Sequence, residues 1–119
     1  MFKNIDHLVI TVKAPDASRD FYRSLGFEVR DTGSRLEFHA GSFKINAHIL
    51  GKELEPKAKN VAVGSTDFCI GLDIPLSDFI AKTSAKSETG IISRHGIHGE
   101  MHSVYYRDPD GNLLEFCNY

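Results

Sequence analysis

The two halves of the chain repeat one order of predicted elements, and this repeat restricts the fold more than any other sequence feature. In the first half, an apolar, β-branched strand at 5–12 precedes a helix with Asp16 as its N-cap and Gly26 at its end. Three short strands follow, at 27–31, 36–40 and 43–50. The first half therefore predicts the order βαβββ.

The second half has the same order. Its elements are a strand at 67–74, a helix opening at Pro75 and stopping near Gly90, and strands at 91–97, 101–107 and 112–118. Placing residues 66–69 over residues 5–8 gives an offset of 61 residues, about half of the chain, which indicates an internal duplication. The sequence predicts an α+β fold in one domain, 1–119, with one module at about 1–58 and a second at about 60–119.

Composition excludes several classes of protein. No apolar run approaches the roughly 20 residues of a membrane span, and the N-terminus lacks the apolar region of a secretory signal. The net charge of -2 gives no basic footprint for nucleic acid. Two cysteines are too few for a disulfide scaffold and favour a reducing compartment. We therefore expect a cytoplasmic protein that binds neither nucleic acid nor a membrane.

The sequence resembles the vicinal oxygen chelate superfamily over essentially its whole length. The resemblance is carried by residues 5–12 (IDHLVITV), 21–27 (FYRSLGF) and 106–115 (YRDPDGNLLE). This superfamily includes glyoxalase I, fosfomycin-resistance transferases, extradiol dioxygenases and bleomycin-binding proteins. Residues 44–48 and 53–58 are also similar to the branch of glyoxalase domain-containing protein 5 and its bacterial virulence-associated relatives.

The resemblance implies two βαβββ modules that form a cupped mixed sheet around one divalent metal ion per site. In the superfamily, the first and last strands of each module offer one ligand apiece. Carried over by position, the ligands are His7, His48 (where glyoxalase I has a glutamate) and Glu115. The fourth position falls on Phe68, which cannot bind a metal. The ion itself could be Zn, Ni, Fe, Mn or Co.

Strand alternation supports the same residues without the family. His7 shares a predicted strand face with Val9 and Thr11, opposite a more apolar face. His48 likewise lies on the polar side of its strand, and Glu115 lies in a strand that otherwise reads as buried. Two imidazoles and a carboxylate would form a 2-His-1-carboxylate triad with open positions for water and substrate.

A second group of candidates lies in the segment 94–102, which contains three histidines between glycines. Three interpretations of this segment are open: a solvated loop, a substrate-facing loop with His98 and His102, or a second metal site. The spacing of these histidines fits neither a zinc finger nor a helical metal pair. Tyr105 and Arg107, which alternation puts on one strand face, are the other candidate substrate-binding residues.

The functional hypothesis is a metal-dependent enzyme of the glyoxalase type, similar to lactoylglutathione lyase. Its small substrate would chelate the metal through two neighbouring oxygens, with Glu115 as the catalytic residue. The alternatives are an extradiol-type dioxygenase and a non-catalytic protein that sequesters a small molecule such as an antibiotic. We also expect a homodimer whose sites are shared between chains, with Glu115 supplied by the partner of His7.

Overall fold

A computed structural model describes residues 1–119 and confirms the α+β class and the duplicated βαβββ order. The first half contains β1 (His7–Val12), α1 (Pro15–Ser24), β2 (Glu28–Asp31), β3 (Leu36–Ala40) and β4 (Phe43–Ile49). The second half contains β5 (Asp67–Gly71), α2 (Leu76–Lys82), β6 (Ile92–Gly96), β7 (Gly99–Arg107) and β8 (Leu113–Asn118). Neither helix has the length and apolar character that crossing a membrane requires.

Each half forms its own mixed sheet of four strands. The first sheet has the order β1-β4-β3-β2, and the second has the order β5-β8-β7-β6. In both sheets the first strand of the half pairs in parallel with the last, and the remaining pairs are antiparallel. The same topology in both halves places the two edge strands β1 and β5 in equivalent positions.

Both helices differ from their predicted bounds. The N-cap of α1 is Ala14, because Pro15 takes the first helical position, where its fixed φ suits the helix and its missing N–H is not needed. Helix α2 ends at Lys82 and not near Gly90. The chain becomes extended at Thr83, whose hydroxyl donates to the backbone carbonyl of Ser24 at 2.7 Å. This bond ties the end of α2 to the end of α1.

One apolar core serves both sheets, since its buried residues come from both halves. Tyr22 of α1 is fully buried and stacks on Phe38 with ring centroids 4.2 Å apart. Its hydroxyl donates to the Asp108 carboxylate at 2.8 Å, in the turn before β8. Asp108 also accepts hydrogen bonds from the backbone N–H and side-chain amide of Asn112, at 2.8 Å each. The predicted Asp-Pro-Asp-Gly turn therefore joins the two halves through its buried Asp108, while Pro109 stays exposed.

Candidate functional site

Each sheet turns one face towards the shared core and carries polar side chains on the other, which we call its open face. On the first sheet, the open face holds His7 and Thr11 of β1, and Asn46 and His48 of β4. The intervening residues, such as Ile10 and Ile45, are buried in the core. The alternation of polar and apolar residues along the strands thus predicted these faces.

The ring of His7 is oriented by its neighbour Asp6. The His7 Nδ1 atom lies 2.7 Å from Asp6 Oδ1, so the carboxylate accepts the Nδ1 proton and leaves the Nε2 lone pair available. A carboxylate in this position is the usual outer partner of a metal-binding histidine. His7 therefore presents one imidazole nitrogen on the open face.

Asn46 is a second potential ligand that the sequence analysis missed. It is 4% exposed, and its Oδ1 atom has no hydrogen-bond partner. A buried polar atom without a partner is costly, and a bound cation or hydrogen-bond donor would satisfy it. In the register of β1 with β4, His7 lies opposite Lys44, so Asn46 is only two residues further along the adjacent strand. That diagonal spacing is about 8 Å between Cα atoms.

The same register separates His7 from His48. His48 lies opposite Thr11, four residues beyond His7, which is about 13 Å along the strand at about 3.3 Å per residue. A histidine ring holds an ion about 6 to 7 Å from its own Cα, given a metal–nitrogen bond of about 2.1 Å. The register therefore does not bring His7 and His48 to one metal centre.

The hydrogen bonding of His48 also differs from that of His7. The backbone N–H of Leu54 donates to His48 Nδ1 at 3.4 Å, so the neutral ring carries its proton on Nε2. Burial, and then the nearby Arg35 guanidinium, lower the pKa of His48 and favour this neutral form. In this state His48 presents a hydrogen-bond donor to the open face.

On the second sheet, Asp67 and Glu115 form the equivalent diagonal pair. Glu115 of β8 lies opposite Cys69, and Asp67 lies two residues before Cys69 on β5. Both carboxylates line one groove of about 330 Å³, together with Arg94 and Tyr105. The second sheet thus holds two carboxylates with the same diagonal spacing as His7 and Asn46 on the first sheet.

This comparison corrects the predicted correspondence between the halves. Asp67 precedes Pro75 by eight residues, as His7 precedes Pro15, so the offset at the first strands is 60 residues and not 61. Phe68 packs against the core, whereas Asp67 lies on the open face. Placing the fourth ligand position on Phe68 was therefore wrong, because a shift of one residue moves a side chain to the other face.

The register corrects the last strands as well. With Asp67 equivalent to His7, the parallel pairs β1–β4 and β5–β8 make Asn46 equivalent to Glu115. His48 then corresponds to Cys117, which is buried. Sequence spacing alone did not show this correspondence. The number of residues between β1 and β4 differs from the number between β5 and β8.

Glu115 lies in a polar environment that holds its carboxylate in place. Ser103 Oγ donates to Glu115 Oε2 at 2.5 Å from the adjacent strand. Tyr105 lies directly opposite Glu115 in the register of β7 with β8, and burial together with this carboxylate raises the pKa of Tyr105. Burial also raises the pKa of the neighbouring Cys69 thiol, which disfavours a reactive thiolate there. Glu115 is therefore a carboxylate held in a fixed position on this open face.

The predicted substrate-binding residues are divided between the two faces of the second sheet. Tyr105 and Arg107 share the open face with Glu115, although the Arg107 guanidinium is paired with Glu88 at 2.7 Å. His102 lies on the opposite face. His98 lies in the turn between β6 and β7, where its backbone N–H donates to the Tyr119 hydroxyl at 3.2 Å.

The segment 94–102 is a tight β-hairpin and not a loop, because β6 and β7 pair as far as Gly96 and Gly99. Its turn consists of Ile97 and His98, and the chain continues at Gly99 with φ 105°, a conformation that glycine adopts readily. No group of three or more histidine, cysteine or acidic side chains within the chain is arranged to hold a metal ion. Neither this hairpin nor any single open face therefore forms a complete metal site within one chain.

A cluster of charges around Glu37 organises the rest of the first open face. Arg35 Nη2 donates to the Glu37 carboxylate at 2.7 Å, Lys44 Nζ at 2.9 Å, and His39 Nε2 lies 2.9 Å from it. These contacts lower the pKa of Glu37 to about 2. Glu37 lies opposite Asn46 in the register of β3 with β4, and its charge is already matched by basic groups. It is therefore a structural anion beside the candidate site.

The chain matches known proteins over nearly its whole length. The family model described as the Glyoxalase/Bleomycin resistance protein/Dioxygenase superfamily matches residues 4–116. Glyoxalase domain-containing protein RDO1 from Mycosarcoma maydis is 39% identical over 98% of this chain and 69% of its own length. Virulence protein STM3117 from Salmonella typhimurium is 38% identical over 97% of this chain and 83% of its own.

Solved structures agree with these matches. The crystal structure of STM3117 has a TM-score of 0.92 and 36% identity, covering 100% of this chain and 98% of that one. An integron cassette protein from the mobile metagenome of V. cholerae has a TM-score of 0.90 and 40% identity, covering 100% and 97%. The duplicated βαβββ fold, the polar open faces and these matches all agree. The chain therefore belongs to the glyoxalase/bleomycin resistance protein/dioxygenase superfamily.

Proposed function

We propose that the chain is a metal-dependent enzyme of the glyoxalase type, similar to lactoylglutathione lyase, with sites shared between two chains. The observation that carries this proposal is the pair of equivalent ligand diagonals, His7 with Asn46 and Asp67 with Glu115. Neither diagonal forms a complete site in its own chain. A second copy that placed its second open face over the first open face would bring four donors together, with Glu115 supplied by the partner of His7.

The donors present suit a divalent cation. Asn46 Oδ1 is a buried acceptor without a partner, His7 Nε2 is left available by Asp6, and two carboxylates complete the set. One nitrogen and three oxygen donors favour a relatively hard ion, such as Mn or Fe, among those expected. When bound, such an ion would stabilise negative charge on two neighbouring substrate oxygens as a Lewis acid.

The reaction we infer is a proton transfer next to a carbonyl. Glu115 accepts the substrate proton at its carboxylate and returns it to the neighbouring carbon. The Ser103 hydroxyl, 2.5 Å away, fixes the orientation of that carboxylate. Tyr105 borders the same groove. An extradiol-type dioxygenase would use two histidines on one ion, and the register of β1 with β4 keeps His7 and His48 apart. The geometry therefore favours isomerisation over oxygenation.

Metal binding by mixed variants tests the shared site. We expect the wild-type chain to take up one Mn²⁺ per subunit and to isomerise the hemithioacetal of methylglyoxal and glutathione, with no turnover of catechols. His7→Ala and Glu115→Gln should each abolish both properties, whereas the exposed matched controls His95→Ala and Glu100→Gln should not. Refolding the two inactive variants together should restore about one quarter of the sites, because only a mixed dimer contains an intact one.

Two results would contradict the proposal. If refolding the two variants together restored no Mn²⁺ binding, the ligands would not come from different chains. If the wild-type chain bound no divalent cation, a non-catalytic protein that sequesters a small molecule would be the better description.

A further inference from the structure

A cavity of about 380 Å³ lies on the first open face, beyond the proposed metal ligands. Its floor is formed by Val9, Thr11 and His48, and its wall by the connection between β4 and β5, including Lys57 and Asn60. Its volume is in the range of small-molecule sites, and it is separate from the groove beside Glu115. The second sheet has no counterpart of His48, since the equivalent Cys117 is a buried thiol.

Every polar side chain that lines this cavity can donate a hydrogen bond. His48 directs its Nε2–H to the open face, because its Nδ1 accepts the backbone N–H of Leu54. Thr11, which is 5% exposed, lies opposite His48 and offers a hydroxyl. The Asn60 amide contributes a further donor at the wall. A ligand group that accepts several hydrogen bonds fits this lining best.

The charge at the rim also favours an anion. Lys57 lines the cavity, and its Nζ lies 2.7 Å from the exposed Glu55 carboxylate, which leaves two ammonium protons for another acceptor. Lys57 is the only charged residue of the lining, which contains no acidic side chain. The nearby Glu53 carboxylate is held by the backbone N–H of Gly51 at 3.1 Å. A carboxylate would therefore meet several hydrogen-bond donors and one ammonium group in this cavity.

The position of the cavity relates it to the proposed metal site. The pairs His7–Lys44, Val9–Asn46 and Thr11–His48 follow each other along β1 and β4. The Thr11–His48 end lies about 7 to 13 Å beyond the His7–Asn46 end, counting two to four residues at about 3.3 Å each. One extended small molecule could span both ends of this face.

We propose that the cavity beside His48 binds a carboxylate at the end of the substrate remote from the reacting oxygens. This inference rests on the proposed function in one respect, namely that the other end of the same molecule is at the His7–Asn46 end. It limits the substrate class to molecules with two neighbouring oxygens at one end and a carboxylate at the other. The His48 Nε2–H, the Thr11 hydroxyl and the Lys57 ammonium donate to that carboxylate.

Nuclear magnetic resonance of the metal-free protein tests the site with succinate as the probe and succinamide as its neutral counterpart. We expect succinate to shift the signals of Thr11 and His48 saturably below about 50 mM, with a Kd on the order of 1 mM. Succinamide should produce no saturable shift. Long-range ¹⁵N correlations should show the His48 proton on Nε2.

Two lysines two residues apart provide matched variants. Lys57→Ala should weaken succinate binding about five- to tenfold, because it removes the cation at the rim. Lys59→Ala removes the same charge from an exposed residue outside the cavity lining and should change the Kd less than about twofold. Thr11→Val, which keeps the side-chain shape, should weaken binding about fivefold.

The proposal would be overturned if succinate gave no saturable shift, if succinamide bound equally well, or if Lys59→Ala weakened binding as much as Lys57→Ala. A His48 proton on Nδ1 would also overturn it. Because the titration contains no metal, its result is independent of the test of the proposed function. A chain that binds succinate beside His48 but takes up no Mn²⁺ would retain this inference and contradict the metal-dependent enzyme.

Discussion

Replacing Asn46 should weaken divalent-cation binding much more than replacing His48. The structural basis is the register of β1 with β4, which puts Asn46 about 8 Å from His7 and His48 about 14 Å from it, between Cα atoms. Loss of an outer-shell partner alone typically costs 10- to 100-fold in metal affinity, so loss of a direct ligand should cost at least about tenfold, or about 1.4 kcal/mol. We expect Asn46→Ala to weaken Mn²⁺ binding by this amount or more, and His48→Gln by less than about twofold.

A change in stability should not affect this comparison of metal affinities. Asn46 Oδ1 has no hydrogen-bond partner in the chain, so its removal leaves no polar group newly unsatisfied. We therefore expect the free energy of unfolding of metal-free Asn46→Ala to stay within about 1 kcal/mol of the wild-type value. Isothermal titration with Mn²⁺ gives the affinities, and urea unfolding gives the stabilities. Equal losses of affinity in Asn46→Ala and His48→Gln would refute the reasoning from strand register.

Three further predictions concern stability. Tyr22→Phe should lower the free energy of unfolding in urea by about 1.5 to 3 kcal/mol, because the Tyr22 hydroxyl donates to the buried Asp108 carboxylate at 2.8 Å. An unchanged urea midpoint of unfolding would contradict this prediction. The pKa of Glu37 is lowered from 4.5 to about 2, so its stabilisation is complete above pH 4.5 and is lost as the pH falls towards 2. After allowance for solvent screening, this stabilisation should amount to about 1 to 2 kcal/mol. Between about pH 6 and pH 2.5, Glu37→Gln should therefore lose less of its free energy of unfolding in urea than the wild type. Gly64→Ala should destabilise by about 1 to 3 kcal/mol, since Gly64 has φ +73° and an added Cβ would contact a backbone carbonyl of the last turn. Gly33→Ala, with φ +90° and open space around it, should cost less by the same denaturation measurement.

The order of elements and the faces of the strands could be predicted because both depend on residues close in sequence. Period-two alternation put His7, His48 and Glu115 on the polar sides of their strands, and the register of both sheets agrees. The turn before β8 was also predictable, since proline and glycine act locally. The burial of its Asp108 was not, because the partner hydroxyl of Tyr22 is 86 residues away.

The choice of site residues could be predicted only in part. Asn46 has no sequence signal beyond its place on a polar strand face, and Asp67 was hidden by an offset between the halves that was wrong by one residue. The equal spacing of His7 from Pro15 and of Asp67 from Pro75 was the one local signal that could have found it. Without that signal, the alignment of the two halves was shifted by one residue. It therefore matched His7 to Phe68, which packs on the core, and not to Asp67 on the open face.

The sequence by itself determined the duplicated βαβββ order, the superfamily resemblance and which side of each strand is polar, since short-range periodicity and turn chemistry specify these. Only the tertiary structure decided which polar residues lie next to one another. The pairing of β1 with β4 and of β5 with β8 sets the neighbours of His7 and Glu115, and a parallel pair is separated by a long crossover. Its register depends on how the whole half packs on the shared core, and no local pattern encodes that packing.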